Sequence, residues 1–512
     1  MSLKTLSIAI LYLLVTTSCN ETNNQKPKEK LPNIVIIYAD DMGYGDLGIQ
    51  NKDSKISTPN LDQLAREGMR FTDAHSSSAI CSPSRFALLT GSYHWRRQHG
   101  IVQSFGKPFF KDSDYTLPQA LKTKDYTTAC IGKWHLGWDW EFNNEPTKIK
   151  RGTRFIDLYA VEDVDWEKPI AGGPLARGFD YYFGDGTINF PPYAWVENDR
   201  IIEAPTEAMK DPEVLPKEGV WGFRPGPKAK EWNPFEVLPK LTKKTIEWIG
   251  NQDKKKPFFL YLSLPSPHEP IVPNDEFDGK SKAGAYGDYM VQTDWVAGEV
   301  LKAIKSNGFE ENTIIIFTSD NGPENTAWKR AEEYGHFSMG DFRGLKRDVW
   351  EGGHHVPFIV KWPGKVKKGT VSNEVICQTD IMATLMNITE VDMPENAAPD
   401  SYNFTPVLEG KTYKNEPLRE ATVHNTLKSR WALRKGNWLY INNKTGSQVP
   451  MPVSFKKLGG YSDFDTEELL FNMKDDQEQR VNLYNEHPEK VKEMKDLLEE
   501  YRTGKQTRKA PL

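Results

Sequence analysis

Residues 33–41 read NIVIIYADD, and residues 313–321 read TIIIFTSDN. Each is an unbroken run of mostly β-branched and aromatic residues that stops at acidic or amide side chains. A run without polar alternation predicts a strand buried on both faces, as in a parallel sheet covered by helices. Residues 257–264 (PFFLYLSL) have the same texture, and shorter runs occupy 127–131 and 357–361. Helical signals fall between them. Thr58-Pro59-Asn60 opens a segment that closes at Gly68, and Ser82-Pro83 opens one that runs through Phe86 to Thr90 and closes at Gly91. Further helices are predicted from Thr116-Leu117-Pro118, over 286–304 and over 380–386. Strands alternating with helices predict an α/β fold with a large mixed, mainly parallel central sheet flanked by helices.

The texture changes after about residue 412. Residues 420–423, 431–434 and 438–441 read as short strands with tight turns, and 488–501 as a helix. That is a small C-terminal antiparallel sheet with one helix. The expected organisation is therefore a catalytic domain over 32–411 and a subdomain over 412–512. Residues 141–239 are rich in Pro, Trp and Gly without periodicity, and are expected to be long loops over the sheet. At 512 residues the chain exceeds one core of roughly 250–300 residues. With 38% hydrophobic and 27% charged residues it is neither disordered nor a multi-span membrane protein. A net charge of −5 supplies no global attraction to nucleic acid or to an anionic membrane. The 15 Trp suit cores and sugar-binding clefts alike.

The first 19 residues read as an export signal. Lys4 gives the positive start, and 6–15 form an apolar run too short to span a bilayer. Cys19 follows the small residues Thr16, Thr17 and Ser18, the pattern of a bacterial lipoprotein signal, although Thr16 fits it weakly. Lipid on Cys19 would be the protein's membrane attachment, with periplasm or outer-membrane surface as the location and plain secretion as the alternative. Residues 20–31 read as a flexible tether. Of the remaining cysteines, Cys81, Cys130 and Cys377, none forms a CxxC pair, and the odd number leaves one for a role other than a disulfide.

Two constellations carry chemistry. Asp40-Asp41 and Asp320-Asn321 stand at the carboxyl ends of two strands, where open α/β sheets gather ligands. Three carboxylates and an amide oxygen form a hard-oxygen set suited to Ca²⁺ or Mg²⁺. One Asp-rich turn is ordinarily a helix cap, but two in one sheet favour a metal. The second constellation is Cys81-Ser82-Pro83-Ser84-Arg85 at the start of a helix.

That Cys-x-Pro-x-Arg stretch resembles the signature of the type I, formylglycine-dependent sulfatases of the alkaline phosphatase superfamily. The resemblance extends over about residues 32–500. PNIVIIYADDMGYGDLG is similar to the family's first metal strand, GKWHLG (132–137) to its Lys-x-His motif, and Ser266-Pro267-His268 to its central His. FTSDNG and GLKRDVWEGG are similar to its second metal motif and distal Lys motif. The resemblance implies Cys81 oxidised to formylglycine, the nucleophile in its hydrated form, with Arg85 holding its hydroxyls. It implies a divalent cation, usually Ca²⁺, on Asp40, Asp41, Asp320 and Asn321, with the modified Cys81 completing the set. Lys133 and His135 would flank the nucleophile, and His268 and Lys346 would contact the sulfate and the leaving oxygen. His135 is assigned as the base that takes a proton from the hydrate. His268, with Lys346, is assigned to protonate the leaving alcohol. Loss of Asp320 is expected to abolish activity with only a modest drop in melting temperature.

The substrate implied is a sulfated carbohydrate, with algal glycans such as ulvan or carrageenan ahead of glycosaminoglycans. The partner implied is a formylglycine-generating or anaerobic sulfatase-maturing enzyme. A formylglycine-dependent phosphonate or phosphodiester hydrolase is the nearest rival, and a catalytically dead glycan-binding surface lipoprotein is the other. His336, His354, His355 and His424 read as structural. His355 stands where the family often has Arg, which puts one structural ion pair in doubt. Trp138, Tyr193 and Trp195 suit either a sugar ring or the core.

Overall fold

The computed structural model describes residues 30–151, 154–210, 215–219, 222–411, 417–427 and 429–508. The expected export signal, Cys19 and most of the tether lie outside the described residues. The elements that position the site are β1 (Asn33–Ala39), α1 (Pro59–Glu67), α2 (Cys81–Thr90), β2 (Thr127–Lys133), β3 (Tyr181–Gly186), α3 (Val237–Gly250), β4 (Phe258–Ser263), α4 (Gly284–Ser306), β5 (Thr313–Ser319) and β6 (Phe358–Lys361).

Every residue of β1 is buried. Val35, Ile37 and Ala39 share a core with side chains of α1, α3 and α4, and Ile34, Ile36 and Tyr38 are buried on the opposite face. Both faces being covered is what removes polar alternation from the sequence. Each fully buried aliphatic side chain stabilises the layer by about 1.5–3 kcal/mol relative to exposure.

β1 is the middle of the sheet. It pairs in parallel with β5 on one side and β4 on the other, β4 pairs with β2, and β2 with β3. β6 adds antiparallel to β5, and short strands complete the ten-stranded sheet at both edges. The register aligns Ala39 with Ser319, Tyr38 with Ser263, and Ser263 with Gly132. Four adjacent strands therefore end level, and the residues that follow emerge on one rim.

The stretch 141–239 departs from the expectation of loops. β3 lies inside it and extends the parallel sheet, and a hairpin, Thr147–Arg151 with Arg154–Leu158, follows β2. β3 reads YYFGDG, with no β-branched residue and a Gly-Asp-Gly end that reads as a turn. Its strand conformation comes from pairing with β2.

After residue 417 the chain forms β7 (Thr422–Leu427), β8 (Arg430–Lys435), β9 (Trp438–Ile441) and β10 (Leu469–Asn472), all antiparallel, with α5 (Pro488–Thr503) packed on them. β10 and a short helix, Val453–Gly459, are additions to the expectation. Pro32–Leu512 clusters as one compact unit.

Candidate active site

The acidic ends of β1 and β5 meet. Asp41 N–H donates to Asp320 Oδ1 at 3.1 Å, and Asn321 Nδ2 donates to Asp41 Oδ1 at 2.8 Å. Asp41 holds a left-handed backbone at φ 61°, as His135 does at 51° and Arg347 at 79°. Non-glycine residues rarely sit there, and such strain concentrates at functional sites.

α2 brings Arg85 beneath this rim. Its Nη2 lies 2.7 Å from Asp320 Oδ2 and 3.3 Å from Asp40 Oδ1, and its Nη1 donates to Ser263 Oγ. β2 supplies Lys133, whose Nζ donates to Asp40 Oδ2 at 2.5 Å. Lys346, from the loop before β6, sits 2.7 Å from Asp41 and 3.8 Å from Glu324. Arg85, Asp40 and Asp320 are fully buried, as is Lys133. Ligand atoms of Asp40, Asp41, Cys81 and His268 lie within 4.8 Å of one another. The structure thus brings together all ten residues singled out in the sequence. It adds Ser263, Glu324 and Arg347, which the motifs did not single out: Arg347 pairs with Glu324 at 2.8 Å, holding the carboxylate that flanks Lys346.

Three carboxylates face three cations here: Asp40, Asp41 and Asp320 against Arg85, Lys133 and Lys346. Burial disfavours charge on Asp40, yet Lys133, His268 and Arg85 hold its carboxyl well below the usual range. Asp320 goes the other way: burial and the Asp40 charge push it up to about 7. Two oxygens, Asp40 Oδ1 and Asn321 Oδ1, are buried and accept no hydrogen bond among the described residues. Hard acceptors without hydrogen bonds, one of them met only by the Arg85 charge at 3.3 Å, beside mutually repelling carboxylates fit a divalent cation. A further double positive charge would also turn a balanced pocket into one that attracts an anion.

Burial pushes the Cys81 thiol up to about 12, so an unmodified Cys81 is protonated at neutral pH and a poor nucleophile. The two histidines are held neutral. Burial, Lys133 and Arg85 take His135 well below its ordinary value, and burial with Lys346 brings His268 to about 4. His135 Nε2 donates to Val102 O at 3.0 Å, which leaves Nδ1 as the basic atom, and Nδ1 is buried without a hydrogen-bond partner among the described residues. His268 Nδ1 donates to Glu269 O, leaving Nε2 to face Asp41 at 3.7 Å. Burial opposes charge on Lys346, but Asp41 and Glu324 are among the groups that raise its pKa and keep the ammonium.

Comparison with known proteins decides the family: the sulfatase family matches residues 32–391. The chain belongs to the sulfatase family. The sulfatase is 33% identical to the N-acetylgalactosamine-6-O-sulfatase of Bacteroides thetaiotaomicron, over 96% of this chain and 97% of that one. It is 30% identical to human N-acetylgalactosamine-6-sulfatase, over 77% of this chain and 70% of the relative. A solved structure from work on glycosaminoglycan metabolism by Bacteroides thetaiotaomicron superposes with a TM-score of 0.78 at 33% identity, covering 93% of this chain and 100% of that one. The protein is therefore a sulfuric ester hydrolase with an alkaline phosphatase-like fold, as the sequence resemblance implied.

The histidines read as structural all have partners inside the fold of the sulfatase. His336 Nε2 lies 2.8 Å from Asp46 Oδ1. His355 sits 3.0 Å from Glu351 and donates through Nε2 to Thr72 O at 2.8 Å, so the histidine at this place still meets a carboxylate. His75, His354 and His424 cluster, but the last two rings are parallel within 2° with centroids 3.6 Å apart. No single ion can lie in both ring planes, so the stack is packing rather than ligation. Tyr193 and Trp195 belong to the core, and Trp138, though buried, lines a cleft beside His135.

Proposed function

We propose that this sulfatase hydrolyses the 6-O-sulfate ester of an N-acetylgalactosamine unit, free or in a glycosaminoglycan-derived oligosaccharide. The observation that carries the reading is the likeness along 97% of a bacterial N-acetylgalactosamine-6-O-sulfatase together with the Cys81–Asp40–Asp41–His268 cluster. That likeness moves the preference from algal glycans to amino sugars. Asp40, Asp41, Asp320 and Asn321 would hold the cation, with Cys81 beside them. A bound Ca²⁺ would supply Lewis-acid neutralisation of sulfate charge. Formylglycine at position 81 would supply, as its hydrate, two hydroxyls on one carbon, so that one can attack sulfur and the other can release sulfate.

The chain's own residues do the rest. Arg85 and Lys133 orient the nucleophile and offset the ester's charge in a desolvated pocket. His135, neutral and basic at Nδ1, takes the proton that frees sulfate. Lys346, ammonium at neutral pH, stabilises the leaving oxygen. His268 donates to that oxygen once it has taken up a proton. A maturation enzyme must convert Cys81, and the 6–15 apolar run with Cys19 supports export with a lipid anchor.

The experiment is sulfate release, read by ion chromatography, from a panel holding N-acetylgalactosamine 6-sulfate, its 4-sulfate isomer, sulfated algal oligosaccharides and an aryl phosphodiester. Position 81 is checked by peptide mass. Release from the 6-sulfate, lost in Cys81→Ser, is the expected outcome. Turnover confined to the phosphodiester, or to an algal sugar, would overturn it.

A further inference from the structure

At the carboxyl end of β3, one strand over from Lys133 and His135, stands a carboxylate that the chemistry above leaves unused. Asp185 is 4% exposed; the Trp232 indole N–H bears on its carboxyl, but neither oxygen makes a well-formed hydrogen bond among the described residues. Burying an acceptor pair with so few donors is costly, so such a group calls for something more that donates to it. Asp185 does not merely fill the core. It lines a cleft with His135, Thr187, Phe190, Trp138 and Trp140.

The sheet register fixes its place. Lys133 pairs with Gly186, and Trp134 N–H donates to Gly186 O at 3.0 Å. Asp185 is therefore the neighbour of the backbone that holds the Lys133–His135 segment. Phe190 meets the His135 ring edge-on at 5.4 Å, which gives the cleft an aromatic wall against the base. On the loop after β3, Asn189 Oδ1 is another buried acceptor without a partner among the described residues. Acceptors in need of donors beside aromatic walls match a sugar ring, whose hydroxyls and amide N–H donate while its C–H faces pack on rings. Resting on the reading of a sulfated amino sugar, we propose that Asp185 is a specificity-determining acceptor for the sugar that carries the sulfate. It takes hydrogen bonds from ring hydroxyl or acetamido N–H donors. Burial pushes its carboxyl up to about 7, and donors from the sugar would favour the ionised form.

The test is calorimetric binding to the full chain carrying Cys81→Ser, alone and combined with Asp185→Asn or Asp185→Ser. Folding of each is confirmed by melting. The ligands are N-acetylgalactosamine 6-sulfate, its 3-deoxy and 4-deoxy analogues, and galactose 6-sulfate. The Cys81→Ser chain is expected to lose about 10- to 100-fold in affinity for at least one analogue. The Asp185 variants are expected to bind the parent sugar that much more weakly and to stop distinguishing it from that analogue. Parent binding unchanged in both Asp185 variants would overturn the inference. So would equal weakening of every ligand with discrimination intact, the mark of a residue that only positions Lys133. If none of these sugars binds the Cys81→Ser chain, the substrate reading falls and the inference with it. Binding with intact discrimination in the Asp185 variants removes the inference alone.

Discussion

Arg85 and Asp320 show what a residue owes to its partner. Both are fully buried and 2.7 Å apart, so removing the carboxylate leaves the guanidinium, away from water, with only the more distant Asp40 at 3.3 Å as a carboxylate partner among the described residues. Breaking such a pair costs about 3–5 kcal/mol. Asp320→Ala is therefore expected to lose activity and to melt far below the wild type, a larger drop than the sequence alone suggests. Asp320→Asn, close to the same shape, should keep more of the fold than Asp320→Ala while still losing activity. Melting curves of the two variants beside sulfate-release assays check this. The same cluster makes a prediction for the ion. Adding Ca²⁺ to chelator-treated protein should raise stability by about 2.7 kcal/mol at a hundred times its Kd. The gain should shrink in Asp320→Asn. A melting temperature indifferent to Ca²⁺ and to chelator would remove the cation from the site. Every one of these side chains was legible in the sequence because each sits inside a motif. Their pairing was not, since Arg85 and Asp320 are 235 positions apart.

At the scale of the element, the last residue but one of β2 is a glycine that nothing can replace. Gly132 has φ 107°, and a Cβ there would lie 2.0 Å from Ser263 O of the neighbouring strand. Gly132→Ala should displace both Lys133 and the Arg85–Ser263 contact. The expected result is lost activity with a fall in stability of more than about 1 kcal/mol, measured by urea unfolding. The short helix Glu351–His354 carries a pH prediction. His354 is buried, and burial, opposed by Glu351 and joined by His75, brings it to about 3. It stays neutral in the fold but takes a proton near pH 6.5 when unfolded. The native state thus binds fewer protons between those values, and stability is lost as pH falls from about 6.5 toward 3. Relative to His354→Asn, the wild type should lose about 1.4 kcal/mol per pH unit within that window. Equal pH slopes in paired denaturation series would contradict it. The strands β1, β4 and β5 could be read directly because burial on both faces leaves an uninterrupted apolar run. β3 could not, because its Gly-Asp-Gly end favours a turn and leaves too short an apolar run to read as a strand.

On the scale of the whole molecule, the C-terminal sheet holds part of the site in place. Val349 and Trp350, three and four residues after Lys346, share a core with Leu439, Ile441, Leu469 and Phe471. Val349 N–H donates to Gly446 O at 2.9 Å, and Gln448 N–H donates to Asp348 Oδ1 at 2.6 Å. The loop that carries Lys346 is thus clamped by the segment between β9 and β10. Trp350→Ala should cost about 3–5 kcal/mol. At temperatures where the variant remains folded, kcat should fall as the Lys346 loop loosens. A variant that melts early but retains wild-type kcat when folded would separate the sheet from catalysis. By the same reasoning, a chain ending at residue 411 should be inactive, because its Trp350 would face solvent.

The sequence by itself determined the chemistry and the class of fold. Buried strands need unbroken apolar runs, and charged or nucleophilic side chains are placed at their ends in short local motifs, so both are visible one segment at a time. The tertiary structure alone decided how those segments meet. It set the register that levels four strand ends, the ion pairs of Arg85, Lys133 and Lys346, and the clamp of the C-terminal sheet on the Lys346 loop. It also decided that Asp185, unremarkable in a Gly-rich stretch, stands beside His135 with two oxygens short of hydrogen bonds. The physical reason is common to all of these. Burial and partner choice are properties of contacts between residues far apart along the chain, and no local pattern of residue types encodes them.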